Sequence, residues 1–286
     1  MSLFALGALG ALTGCADQSS ADGDMTTAPQ LGKATNLPTP PPITPSANAP
    51  SPSQSSSLAR FQPGPSLPGI PDAHPGLPRT LFFSPQKKTN QIALTIDDGY
   101  NSEVVSAYIE FAQRSKLPIT FSPNGCYQAK WKPHAAQLRP MIESGQVQIG
   151  NHTFTHKDMR HETDAAVAHD ISHNELWVQS TFGCTSRPYL RPPYGAHDAR
   201  TDAIAGDLGF THILMWNGTF GDSSLISPRT LMTLARRYLQ PRTVLLGHAN
   251  HPTITGLFDQ ITELIAARHL EPVTVDQMFG TSRSIG

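Results

Sequence analysis

Gln91-Ile92-Ala93-Leu94-Thr95-Ile96-Asp97-Asp98-Gly99 is a short, nearly unbroken apolar run that halts at two carboxylates and a glycine. Such a run suits a strand covered on both faces, and the glycine suits a sharp turn at its end. Side chains alternate along a strand, so Asp97 and Asp98 should face opposite sides unless the turn swings both toward one place. Taken alone, Asp-Gly reads as a common, inert turn.

Working outward, the same punctuation recurs. Ser102 to Lys116 has helical spacing at Val105, Tyr108, Ile109 and Ala112, with Ser102 as its expected cap. Strands are predicted at Pro118–Ser122, Val147–Gly150, Tyr189–Arg191, Thr211–Trp216, Thr243–Gly247 and Val273–Val275. Helices are predicted at Ala135–Ser144, Thr163–Phe182, Asp198–Leu208, Ser227–Leu239 and Thr255–His269. About seven alternations predict an α/β fold, a distorted (β/α) barrel of about seven parallel strands. Function is then expected at the carboxyl ends of the strands. Asp97 and Asp98, Asn151 and His152, Arg191, Trp216 and His248 all fall there.

The chain before this domain differs. Of 286 residues and 26 prolines, the densest proline run is Leu37 to Leu77. Residues 16–87 therefore read as a Pro/Ser/Thr-rich disordered linker, and residues 88–286 as one domain with a full core. Met1 to Gly14 is apolar, too short to span a bilayer, and leads into Leu12-Thr13-Gly14-Cys15. This resembles a bacterial lipobox, in which Cys15 is lipid-modified after signal cleavage; the alternative is an ordinary cleaved signal with a chance cysteine. No Lys or Arg precedes Cys15, so the translation start is expected upstream of Met1. An anchored linker could reach ~230 Å at ~3.3 Å per residue, far enough to present the domain to polymer outside the membrane. The expected location is the outer face of the bacterial cell membrane, or secreted if the lipobox is unused. Net charge is −1, which offers no case for nucleic acid or an anionic membrane surface. Cys126 follows a predicted strand and Cys184 precedes one, which puts them at opposite ends of a parallel sheet, and no bridge is expected between them.

About fifty residues after Asp97 and Asp98 comes His152-Thr153-Phe154-Thr155-His156. Residues four apart are neighbours on one helical turn. Two imidazoles and one carboxylate suit a divalent metal such as Zn²⁺, and the other carboxylate is left as a base. Metal-assisted hydrolysis needs that combination. Thr153 stands where a His-Glu-x-x-His protease has its glutamate, so that class is disfavoured. His169 and His173 share the spacing, but beside Asp170 and Glu175 in a long helix they read as a solvated face.

These two motifs, with Arg191-Pro192-Pro193-Tyr194-Gly195 and Leu246-Gly247-His248, together resemble the signature set of the polysaccharide deacetylases, the NodB-homology or carbohydrate esterase family four. The resemblance implies that Asp98, His152 and His156 hold the metal (Zn²⁺ by default, Co²⁺ or Ni²⁺ as alternatives). It makes Asp97 the base, His248 the acid, Tyr194 the backbone donor to the oxyanion, and Arg191 the partner orienting Asp97 by a bidentate contact. It also makes Trp216 a pocket wall. The implied partner is an acetylated polysaccharide, and a monomer is expected.

One motif departs from the family pattern Trp-x-x-Asp-x-x-Asp-Trp. Here it reads Trp216-Asn217-Gly218-Thr219-Phe220-Gly221-Asp222-Ser223. Thr219 stands where the carboxylate partner of the acid histidine belongs. Either Asp222 substitutes for it, or His248 works with a lower pKa. The leading functional expectation is a metal-dependent de-N-acetylase of cell-wall glycan, peptidoglycan or chitin-like. An O-acetyl esterase on xylan-type glycan and a non-catalytic glycan-binding lipoprotein are the alternatives.

Overall fold

The computed structural model describes residues 77–280. The lipobox with Cys15 and most of the predicted linker lie outside them. The described residues form nine strands interspersed with helices: β1 (Arg79–Leu81), β2 (Gln91–Asp98), β3 (Ile119–Pro123), β4 (Val147–Ile149), β5 (Tyr189–Leu190), β6 (His212–Leu214), β7 (Gly218–Thr219), β8 (Val244–His248) and β9 (Glu271–Val273). The helices are α1 (Ser102–Ser115), α2 (Gln128–Trp131), α3 (Ala135–Glu143), α4 (Asp164–Phe182), α5 (Ala199–Asp207), α6 (Pro228–Tyr238), α7 (Phe258–Ala267) and α8 (Val275–Phe279).

Every pairing between these strands is parallel. One sheet runs β4-β3-β2-β8-β7 with β9 against the start of β2, and a second runs β1-β6-β5. Single bridges, Asn151 with Leu190 and Phe83 with Thr243, connect the two. The expected barrel is therefore present in distorted form, its strand ring interrupted rather than evenly hydrogen-bonded.

β2 is central, between β3 and β8, and is buried almost throughout, which explains its unbroken apolar sequence. Its two faces still differ. Ile92, Leu94 and Ile96 join the large core shared with α1, α6 and α7, whereas Ala93 packs with Tyr189, Leu214, Val244 and Val273. Thr95 and Asp97 follow Ala93 at the strand period of two, and Arg191 reaches both of them. At the opposite end of the strands, Val275 N donates to Thr120 Oγ1 and Asp276 N to Gln148 Oε1, docking α8 there.

Several expectations need correction. Asn101, not Ser102, caps α1: its side chain accepts from Glu103 N and Val104 N. Arg79–Leu81 forms a strand on β6, and Arg242 donates to the Ser84 carbonyl, so residues 79–84 belong to the folded domain although their sequence reads as linker. Val275 starts a helix instead of ending a strand, because Thr274 and Gln277 form a capping box. Cys126 and Cys184 are not bridged to each other.

Candidate active site

The turn after β2 sets the geometry. Asp98 has φ 68 and Gly99 φ 102, so the chain leaves the strand through two left-handed residues. Asp tolerates that region better than most side chains, and the turn swings Asp98 off the face that strand alternation would give it. Gly99 is obligatory: a Cβ there would lie 2.2 Å from Trp131 Nε1. Trp131 Nε1 in turn donates to the Asp98 carbonyl at 3.1 Å.

His152 and His156 do not lie on a helix. They belong to an irregular loop in which Thr153 (φ 62) and His156 (φ 57) are both left-handed. A β-branched residue resists that conformation, so something must hold it. Buried asparagines do. Asn151 Oδ1 accepts from Thr153 N at 2.9 Å, Asn124 Nδ2 donates to the His152 and Thr153 carbonyls, and Asn174 Nδ2 donates to Asn151 Oδ1 at 3.1 Å. Asn151 also exchanges backbone bonds with Tyr189 and Arg191, which sets the loop against β5.

This loop carries both imidazoles to one carboxylate oxygen. Asp98 Oδ1 is 3.3 Å from His152 Nε2 and 3.3 Å from His156 Nε2. Ligands around a single ion with bonds of about 2.0–2.2 Å take such separations. Asp98 Oδ1 is buried and has no hydrogen-bond donor, a costly state unless a cation takes the lone pairs. His152 Nδ1 lies 2.7 Å from the Arg191 carbonyl, which can only accept, so the proton sits on Nδ1 and leaves Nε2 as a ligand. The residues present therefore fit a divalent metal, with Asp98, His152 and His156 as its ligands. Burial opposes the charge on Asp98, yet His156, His152 and His248 outweigh it and hold the carboxyl far below its usual range. Burial lowers His156 to about 4 against the pull of Asp98, which keeps the imidazole neutral as a ligand must be.

Asp97 lies beside this cluster, 3.8 Å from His152 Nε2. One Arg191 nitrogen, Nη1, spans both its oxygens at 2.9 and 3.2 Å, while Nη2 donates to Thr95 Oγ1 at 3.0 Å. The contact differs from the expected two-nitrogen fork, because Thr95 claims the second nitrogen. Arg191 is fully buried, with its guanidinium 5.5 Å from the Trp216 ring. Tyr194 has φ 59 and its ring lies 4.6 Å from that of His156, half exposed at the mouth.

His248 ends β8 opposite Asp97. Its Nδ1 is 2.9 Å from Asp222 Oδ1, and its backbone N donates to Asp222 Oδ2 at 3.1 Å. Burial works against the imidazolium, but Asp222, then Asp98 and Asp97, raise it to about 9. Of the two expectations for the departing motif, Asp222 as partner is the one the geometry meets. Thr219 serves the turn instead: its Oγ1 accepts from Gly221 N at 2.9 Å, and Gly221, at φ 72, folds the chain back to bring Asp222 in.

His169 and His173 are exposed, as expected of a solvated face, and His173 stacks on Phe154 at 3.8 Å. Their neighbour Glu175 is not solvated. It is buried against Arg187, Thr185 and Ser186. Three buried asparagines (124, 174 and 250) went unread in the sequence, where isolated Asn residues look like turn formers.

Residues 84–213 match the polysaccharide deacetylase family. The chain is 26% identical over 206 residues to the peptidoglycan-N-acetylglucosamine deacetylase PgdA of Listeria monocytogenes, a match covering 71% of this chain and 42% of that protein. The chain thus spans under half the length of that relative. The chitin deacetylase of Colletotrichum lindemuthianum superposes with a TM-score of 0.64 at 22% identity, covering 72% of this chain and 94% of that one. A family-four pseudoenzyme from Bacillus anthracis superposes with a TM-score of 0.62 at 17% identity, covering 70% of this chain and 69% of that one. The fold is shared with these two structures.

Proposed function

We propose that this domain hydrolyses N-acetyl groups on cell-wall polysaccharide, peptidoglycan or chitin-like, with a divalent metal held by Asp98, His152 and His156. The observation that carries the proposal is the donor-less Asp98 Oδ1, equidistant from two imidazole nitrogens and beside a second, arginine-held carboxylate. The similarity to named peptidoglycan and chitin deacetylases supports the substrate class.

Held by Asp98, His152 and His156, a divalent metal would supply the Lewis acidity for the acetyl carbonyl and for an attacking water. Asp97 accepts the water's proton, and Arg191 fixes the carboxylate so that little reorganisation accompanies the transfer. The water oxygen adds to the acyl carbon, and the Tyr194 backbone N–H donates to the oxygen on which charge develops. His248, charged at neutral pH through Asp222, then gives a proton to the amide nitrogen as the C–N bond breaks. Acetate and a free amine result.

Acetate release from acetylated peptidoglycan and chitin oligomers by the zinc-loaded chain tests the proposal. Turnover that disappears in Asp97→Asn supports it. Binding of glycan without turnover would favour the non-catalytic reading, which the departing fourth motif motivates. Activity on acetylated xylan alone would favour the O-acetyl esterase. The location proposal, an anchor through Cys15, is tested separately by fatty-acid labelling; no incorporation in the parent chain removes it.

A further inference from the structure

We infer that Asn250 is a positioning residue for the metal site, choosing which oxygen of Asp98 is left for the ion. The inference rests on the metal reading above and adds a residue outside the ligand set.

Asn250 lies two residues beyond β8, where the Ala249 N–H donates to the Asp97 carbonyl at 3.0 Å and keeps the segment alongside β2. Its side-chain amide uses both ends. Nδ2 donates to Asp98 Oδ2 at 2.7 Å, while Oδ1 accepts from Gly99 N at 3.2 Å and Tyr100 N at 3.4 Å. The amide's orientation is fixed by these partners, since two N–H groups need an acceptor and a carboxylate needs a donor. At 6% exposure, Asn250 has little competition from water.

Two consequences follow. First, Oδ2 of Asp98 is occupied, so Oδ1 alone faces His152 and His156. Second, the two N–H groups released by the left-handed turn at Asp98 and Gly99 are satisfied by the same side chain. A leucine of similar shape would strand all three partners. An aspartate would set an acceptor against Oδ2 and repel Asp98. Only a group with donor and acceptor in one plane serves both ends, which is why an asparagine suits this position.

The test measures Co²⁺ binding to the full chain by calorimetry and by the visible absorption of the bound ion, alongside thermal unfolding without metal. Asn250→Leu is expected to weaken Co²⁺ binding about 10- to 100-fold and to change the absorption band, as loss of an outer-shell partner does. Asn250→Ala should weaken it less, because the space vacated admits a water that can donate to Oδ2. It also serves should the leucine variant fail to fold. Variants that unfold at lower temperature yet bind Co²⁺ as tightly as the parent, with the same band, would overturn the assignment and leave Asn250 a structural residue. A parent chain that binds no Co²⁺ or Zn²⁺ would overturn the metal reading itself, and this assignment with it.

Discussion

Asp222→Asn keeps the shape of the side chain and removes its charge, which makes it the sharpest probe of His248. In the folded chain, burial opposes the imidazolium, and the Asp222 contact at 2.9 Å is the largest influence favouring it, ahead of Asp98 and Asp97. Together they take His248 from an ordinary 6.5 to about 9. That difference is worth roughly 3–4 kcal/mol at about 1.4 kcal/mol per pH unit. A bound cation offsets the part due to Asp98 in parent and variant alike, so the variant is left with Asp97 alone against burial and should fall back to about 6.5 or lower. At pH 8 only about 3% of His248 would then carry the proton, against most of it in the parent, a loss of roughly 30-fold in kcat/KM that vanishes near pH 5.5. The assay is a pH profile of acetate release with both proteins zinc-loaded. The stability effect has a definite sign. A pKa raised on folding stabilises fully below the unfolded value near 6.5, and the gain drains away as pH rises through about 9. Urea unfolding without metal should therefore show the largest gap between parent and Asp222→Asn below about pH 6.5, shrinking as the pH rises and nearly closed by about 9. A descending limb of kcat/KM that stays where the parent has it would refute the pairing as a source of the acid's charge.

Three further outcomes are expected. Arg191→Met leaves Asp97 as a buried charge without its partner and should cost about 3–5 kcal/mol in urea unfolding, far more than an exposed ion pair would. Zinc at about a thousand times its Kd should add roughly 4 kcal/mol of stability, seen as a rise in Tm; a chelator should reverse the rise, and Asp98→Asn should show none. Gly99→Ala combines a Cβ 2.2 Å from the Trp131 indole with a left-handed backbone at φ 102, and should cost about 2–5 kcal/mol by thermal unfolding.

How far the sequence could be read depends on which interactions are local. β2, α4 and α6 show their character in spacing and caps that lie within a few residues, and they emerged with nearly the expected bounds. The ligand residues were legible as types, because a strand ending in Asp97 and Asp98 and a pair of histidines carry chemistry in their identities. The conformation that joins them was not. Spacing four apart suggested a helix at His152 and His156, but the loop is held by Asn124, Asn151 and Asn174, contributed by three separate segments. Strand β1 escaped notice for the same reason. Three residues show no periodicity, and only β6, more than a hundred residues away, makes Arg79–Leu81 a strand.

The departing fourth motif shows the same physics from the other side. Read by position, Thr219 in place of a carboxylate suggests a weakened acid histidine, the start of decay toward a binding protein. Read by geometry, the need is for one buried carboxylate within hydrogen-bond reach of His248 Nδ1, and no rule fixes where along the chain it must originate. Phe220 N donates to the Leu246 carbonyl and continues the alignment of β7 with β8; Thr219 Oγ1 then ties back Gly221, whose φ of 72 reverses the chain, and Asp222 arrives from the far side of the turn. It meets His248 through both the ring and the backbone N–H, so the carboxylate is anchored by two bonds rather than left to find the imidazole by side-chain rotation. Asp222 is itself the second aspartate of the family pattern, so the partner comes from a position the motif already supplies, delivered by the turn at Gly221. That carboxylate, with Asp97 paired to Arg191 beside the Asp98, His152 and His156 cluster, weighs toward a working acid.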